Sequence, residues 1–145
     1  MTKRELFTRV LVDAGPLVAI INERDQYHDE CLEIVQQIVP PLLTSWLVVD
    51  EAAYLLRASM TSVERLLAGP ASRLYRILPL EESELPQMAA LVRKYRNLRP
   101  QLADISLVHL AGRESLRTVF TVDRRDFSVY RTAAGKSLHL LPETL

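Results

Sequence analysis

Arg9-Val10-Leu11-Val12-Asp13-Ala14-Gly15-Pro16-Leu17 is the stretch that decides the fold. Val10, Leu11 and Val12 form an unbroken apolar run, the pattern of a short strand covered on both faces. Asp13 stands where such a strand leaves its sheet. Gly15 permits a sharp turn, and Pro16 suits the first position of a helix, where a missing N–H leaves nothing unsatisfied. In an open α/β sheet the carboxyl ends of the strands line the ligand crevice, so Asp13 is a candidate site residue. It is equally well placed to cap the helix that follows.

Downstream, strand and helix patterns alternate. Helices are expected over residues 16–22, 27–39, 46–58, 61–68, 85–95 and 104–115. Asp25 is a candidate cap for the second, which Pro40-Pro41 ends; Thr44 or Ser45 can cap the third, and Thr61 or Ser62 the fourth. Strands are expected over residues 42–44, 75–80, 118–123 and 138–141, with Pro79 placing the 75–80 strand at an edge or at its end. Glu81, Glu82 and Glu84 put negative charge at the start of the fifth helix, where the helix dipole favours it. Residues 97–101 read as a loop. Such alternation indicates a parallel sheet with helices on both faces.

The chain has 145 residues, enough for one domain with a sizeable core, and no linker or repeat divides it, so residues 1–145 are expected to form a single domain. Its 48% apolar content excludes a chain disordered by composition. No apolar run approaches the roughly 20 residues of a membrane helix, and residues 1–5 are not followed by a signal-peptide pattern. Cys31 is the single cysteine, which excludes an internal disulfide and a cysteine-based zinc site. A cytoplasmic protein is the expectation. With 18 basic and 18 acidic residues the net charge is zero, which argues against a globally basic nucleic-acid binder but leaves room for a local basic rim.

Four acids stand where apolar residues are expected. Asp13 and Asp123 each end an apolar strand. Glu51 lies in one row with Leu47 and Leu55, beside the buried face of its helix, and Asp104 heads the row Leu107, Val108, Ala111. A buried carboxylate needs a cation, a hydrogen bond or a metal. Four such groups in one crevice would repel unless a hard divalent ion neutralised them, and oxygen ligands suit Mg²⁺ or Mn²⁺. That arrangement suits phosphodiester hydrolysis. The alternative gives each acid a separate duty: Asp13 and Asp104 as caps, Asp123 in a turn, Glu51 in an ion pair with Arg57 or another base.

Five segments, in order, resemble the PIN domain, and within it the compact bacterial toxins of the VapC type. They are Val12-Asp13-Ala14-Gly15-Pro16-Leu17-Val18-Ala19, Asp25-Gln26-Tyr27-His28, Glu51-Ala52-Ala53-Tyr54-Leu55-Leu56, Ala103-Asp104-Ile105-Ser106-Leu107-Val108, and Thr121-Val122-Asp123-Arg124-Arg125-Asp126-Phe127. The resemblance spans nearly the whole chain. It implies a three-layer α/β/α, Rossmann-like fold with a parallel sheet of four to five strands in the order 3-2-1-4-5. It places the family's four acids at Asp13, Glu51, Asp104 and Asp123, with Asp13, Asp104 and Asp123 holding Mg²⁺ or Mn²⁺. Thr121 matches a supporting hydroxyl residue and Asp126 an additional, peripheral acid. The implied activity is metal-dependent hydrolysis of RNA, single-stranded or tRNA, by the toxin of a toxin–antitoxin pair. The implied partners are an antitoxin and a second copy of the chain, met through the helical region around Leu47, Val48, Tyr54 and residues 63–67. One departure is Ala14-Gly15 after Asp13, where many of these toxins carry a hydroxyl residue.

Lesser residues carry weaker expectations. His28 is expected to be structural, and His109, about 140° round the helix from Asp104, is not expected to be a co-ligand. Arg124 and Arg125 are candidates for RNA phosphate contacts or for solvated turn positions. Arg57, Arg65, Arg73, Arg96 and Arg99 are further candidates for a basic rim. Trp46 is expected to pack in the core or an interface rather than to stack on a base. A PIN-like binding or regulatory module without turnover is the rival function. An aspartyl phosphotransfer enzyme would need a lysine after a strand, and Lys3, Lys94 and Lys136 do not supply one convincingly.

Overall fold

The computed structural model describes residues 6–144, so the reading of residues 1–5 lies outside the described residues. The chain runs β1 (Leu11–Val12), α1 (Ala14–Ile21), α2 (His28–Val35), β2 (Leu42–Thr44), α3 (Trp46–Leu55), α4 (Met60–Leu67), β3 (Tyr75–Ile77), a 3-10 turn (Glu82–Glu84), α5 (Leu85–Lys94), a second 3-10 turn (Arg96–Leu98), α6 (Leu102–Arg113), β4 (Thr118–Phe120), α7 (Arg124–Phe127) and β5 (His139–Leu141). All strand pairs are parallel, in the order β3-β2-β1-β4-β5. This is the three-layer α/β/α architecture expected from the alternation.

The chain leaves β1 towards β2 and β3 on one side, then crosses back to place β4 and β5 on the other. The reversal falls between β1 and β4, where crossovers to opposite faces open a crevice at the carboxyl ends. Val12 pairs with Phe120, and the Asp13 N–H donates to the Phe120 carbonyl at 3.0 Å. Asp13 therefore emerges at the mouth of the switch point. Val10, Leu11, Val12, Val119 and Phe120 are all fully buried, which explains their unbroken apolar run.

Two helices are locked together beneath the crevice. Ser45 caps α3 by accepting from the Val48 N–H at 3.3 Å, and its hydroxyl lies 2.7 Å from that of Ser106 in α6. Ser106 donates its own proton to the Ala103 carbonyl at 2.6 Å, so the Ser45 hydroxyl is the donor between the two. On the far side, Glu84 joins α5 to α6 by accepting from Arg113 at 2.8 Å and lying 2.7 Å from His109 Nε2. The Glu81 N–H, His109 and Arg113 hold the Glu84 carboxyl down to about 2.

Several element ends differ from expectation. α1 starts at Ala14, with Asp13 as its cap, so Pro16 is its third residue rather than its first. α2 ends at Val35 instead of reaching 39, because Ile38 is diverted into a parallel bridge with Phe7. α4 is capped by Ser59, not by Thr61 or Ser62. Trp46 is 63% exposed, which removes it from the core. His28 is structural: its Nδ1 lies 2.6 Å from the Ala19 carbonyl and ties α2 to α1. Among the described residues no helix is long and apolar enough to cross a membrane.

Candidate metal centre

The ends of β1 and β4 together with α3, α6 and α7 deliver acids to one crevice, a cavity of about 320 Å³ lined by Asp13, Glu51, Asp104, Asp123 and Asp126 together with Gly15, Leu55, Arg99 and Gln101. Carboxylate oxygens of Asp13, Glu51 and Asp104 lie within 4.8 Å of one another, and so do those of Asp104, Asp123 and Asp126. Asp104 is common to both groups. Asp126, on the first turn of α7, lies in this second group.

Asp13 both caps a helix and lines the crevice. Its Oδ1 accepts from the Ala14 N–H at 2.8 Å, and its Oδ2 accepts from the Thr121 hydroxyl at 3.0 Å. The same Thr121 oxygen accepts from the Asp123 N–H at 2.9 Å. One fully buried hydroxyl thus fastens the ends of β1 and β4 at a fixed separation. Burial pushes the Asp13 carboxyl up to about 6, against the lowering pull of Ala14 and Thr121 and with the Asp123 charge adding to the rise.

Asp104 is not a cap. α6 begins at Leu102 with Gln101 as its cap residue, which turns Asp104 inward in the first turn, 8% exposed. Burial first, then the charges of Asp13, Asp123 and Glu51, push its carboxyl up to about 8, while a hydrogen bond from Tyr130 opposes the rise. Glu51 is raised by burial and by Asp13 and Asp123. Its Oε2 is buried and, among the described residues, has no hydrogen-bond partner. The expected alternative of an ion pair with Arg57 is overturned: Arg57 stacks over the Tyr54 ring at 3.8 Å and donates to the Tyr54 carbonyl at 2.8 Å. Asp123 makes no side-chain cap bond to α7.

An all-oxygen donor set with an orphaned buried carboxylate oxygen fits a hard divalent cation. Like charges this close stay ionised only with such a counter-charge nearby. The cluster also sets a sign for stability. A carboxyl raised in the folded chain keeps protons that the unfolded chain has released, so rising pH favours unfolding. The window runs from the ordinary value of 3.8 up to about 6 for Asp13 and about 8 for Asp104. Glu84 contributes in the opposite sense, but its contribution is complete above the ordinary value of 4.5 and leaves the upper window unchanged. Melting temperature in chelator is therefore expected to fall from about pH 5 to about pH 8; a flat or rising profile would contradict the burial of these acids.

Gly15 accounts for the Ala14-Gly15 departure. A Cβ there would sit 2.5 Å from Val122 Cγ2, so any larger residue needs Val122 to move. Of the basic candidates, Arg124 is committed within the chain, donating to the carbonyls of Pro142 and, at 3.0 Å, Glu143. Arg125 is exposed. Among the described residues, Arg99 is the one basic residue lining the crevice. His109 is taken up by Glu84. Spacing did not single out Tyr130, whose hydroxyl donates to Asp104 Oδ2 at 3.4 Å. Burial and the neighbouring Asp104 push that phenol above its usual range, so it remains a donor.

The PIN domain family model matches residues 10–133. The chain belongs to the PIN domain family. It is 30% identical to Ribonuclease VapC26 of Mycobacterium tuberculosis over 138 residues, which is 92% of this chain and 100% of that protein. In fold it is similar to the crystal structure of Mycobacterium tuberculosis VapC20, described as a toxin that cleaves the sarcin–ricin loop. The TM-score is 0.73 at 15% identity, covering 80% of this chain and 91% of the other. It is also similar to VapBC2 from Rickettsia felis bound to a DNA fragment from its promoter, with a TM-score of 0.61 at 14% identity over 93% of this chain and 98% of that one.

Proposed function

We propose that this PIN domain protein is a divalent-metal-dependent endoribonuclease and the toxin of a toxin–antitoxin pair in the cytoplasm. The observation that carries the reading is the convergence of five carboxylates on one crevice, with Glu51 Oε2 left without a hydrogen-bond partner among the described residues. A ribonuclease relative that aligns along its entire length supports it.

In this reading Asp13, Asp104 and Asp123 hold Mg²⁺ or Mn²⁺, and Glu51 completes the site directly or through water. A divalent ion held there would supply an activated water and compensate charge on the phosphate. Thr121 keeps Asp13 and the start of α7 in register, and Asp126 adds a further oxygen beside Asp104 and Asp123. Arg99 and the exposed Arg125 meet RNA phosphates at the rim, which a neutral chain needs locally. Arg99→Ala is expected to lower kcat/KM for RNA about tenfold, the scale of one charged hydrogen bond, with Mn²⁺ affinity unchanged; equal turnover by the variant would remove Arg99 from the substrate path. The exposed Trp46, Tyr54, Leu55, Met60 and Leu67 on α3 and α4 form the surface offered to an antitoxin and to a second copy of the chain.

The test is incubation of partner-free protein with a mixed tRNA and mRNA pool in Mn²⁺, in Mg²⁺ and in chelator, beside Asp13→Asn. Cleavage that requires both the metal and Asp13 is the expected result. Cleavage that persists in chelator, or in Asp13→Asn, would contradict the reading.

A further inference from the structure

The chain after Asp123 folds back against the crevice. Asp126 faces Asp104 from α7, and Tyr130 follows, fully buried, its N–H donating to the Asp126 carbonyl at 3.2 Å. The Tyr130 ring makes edge-on contacts with Tyr95, at 5.0 Å and 79°, and with Phe127, at 5.3 Å and 84°. A phenyl ring would satisfy this packing equally well. The hydroxyl is therefore unexplained by the core, and a buried hydroxyl is costly without a partner. Its partner is Asp104 Oδ2, at 3.4 Å. Asp104 is the one acid common to both carboxylate groups, so the angle of its carboxylate decides whether its oxygens face the two groups together. A rigid ring held on two sides is placed to orient that carboxylate, as outer hydrogen-bond partners do for ligands in metal sites generally.

We propose that Tyr130 is a positioning residue: its hydroxyl holds the Asp104 carboxylate turned into the crevice and so sets the affinity of the acid cluster for a divalent cation. The inference rests on the metal-site reading above. Tyr130 touches neither substrate nor metal and acts only through Asp104.

Calorimetric titration of the full chain with Mn²⁺ tests it, using the unmutated protein, Tyr130→Phe, Tyr95→Phe and Asp104→Asn, each melted in chelator as a folding control. Tyr95→Phe removes a hydroxyl from the same aromatic cluster, but that hydroxyl serves the Arg131 backbone, at 2.6 and 3.3 Å, and no acid. Tyr130→Phe is expected to bind Mn²⁺ about tenfold more weakly, the range seen for outer-shell partners, with kcat for RNA reduced and KM unchanged. Tyr95→Phe is expected to bind as the unmutated protein does. Adding Tyr130→Phe to Asp104→Asn is expected to weaken Mn²⁺ binding no further. A folded Tyr130→Phe with undiminished Mn²⁺ affinity would overturn the inference, as would an equal loss in Tyr95→Phe. The unmutated chain offers a second reading free of folding effects: Mg²⁺ should move the Tyr130 ring-carbon NMR resonance nearest the hydroxyl, and a fixed resonance on saturation would also overturn it. A flat titration of the unmutated protein would instead overturn the metal site itself.

Discussion

Asp104→Asn is expected to fold, to melt higher than the unmutated protein in chelator at about pH 8, and to lose metal-dependent RNA cleavage by more than about 100-fold. The last figure follows because outer-shell partners alone are worth about 10–100-fold, and Asp104 is proposed as a direct metal ligand. The gain in stability follows from the environment of Asp104. The carboxyl is 8% exposed, faces Asp13, Asp123 and Glu51, and is pushed up to about 8. Near that pH the unmutated chain begins to place a further negative charge in a space that disfavours it. Asparagine removes the charge, keeps an oxygen for the Tyr130 hydroxyl, and changes volume little. Each kcal/mol so recovered raises the melting temperature by roughly 2–4 °C. Melting scans in chelator and cleavage assays in Mn²⁺ check the two halves separately. An Asp104→Asn variant that is less stable in chelator would mean the acids are not in electrostatic conflict.

Phe120→Ala is expected to cost about 3–5 kcal/mol of folding stability, a large share of the roughly 5–15 kcal/mol that holds a domain together. Phe120 is fully buried on β4, pairs with Val12, and its carbonyl receives the Asp13 N–H. Truncation leaves a cavity beside the strand ends that carry Asp13 and Thr121, and a close-packed interior relaxes only partly into such a space. Urea unfolding should show a lower midpoint with an unchanged slope. Tyr54→Ala provides the contrast: at 61% exposed it should stay within about 0.5 kcal/mol of the unmutated chain. Equal losses in the two variants would refute the burial assigned to β4.

The sheet was legible because its central strands are short and covered on both faces, so their signal is an apolar run that a single acid ends. Val10 to Asp13 and Thr118 to Asp123 both read this way, and the acids that end them are the residues the strand order brings to the switch point. Glu51 and Asp104 were legible as breaks in apolar rows. The role of Asp104 as something other than a cap was not legible, because it depends on α6 starting two residues earlier, at Leu102, after the extended backbone of Gln101. Helix ends elsewhere were set by tertiary pairing: no local signal at Ile38 announces its bridge to Phe7. α7 is only four residues long, too short for a periodic pattern. Tyr130 escaped for the same reason, since its position under Asp104 is made by a turn and not by spacing along an element. Arg99 stood among five basic candidates, and only the fold separates it from the other four.

The proposed sharing of a divalent cation by these acids is tested most directly by anomalous diffraction at the manganese absorption edge from a crystal soaked in Mn²⁺. The expected map has a peak in the crevice, with oxygen atoms of Asp104 and of Asp13 or Asp123 at coordination distance. A crystal with the crevice open to solvent that shows no peak there, or shows Mn²⁺ only at a surface pair such as His139 and Glu143, 3.6 Å apart, would contradict the claim.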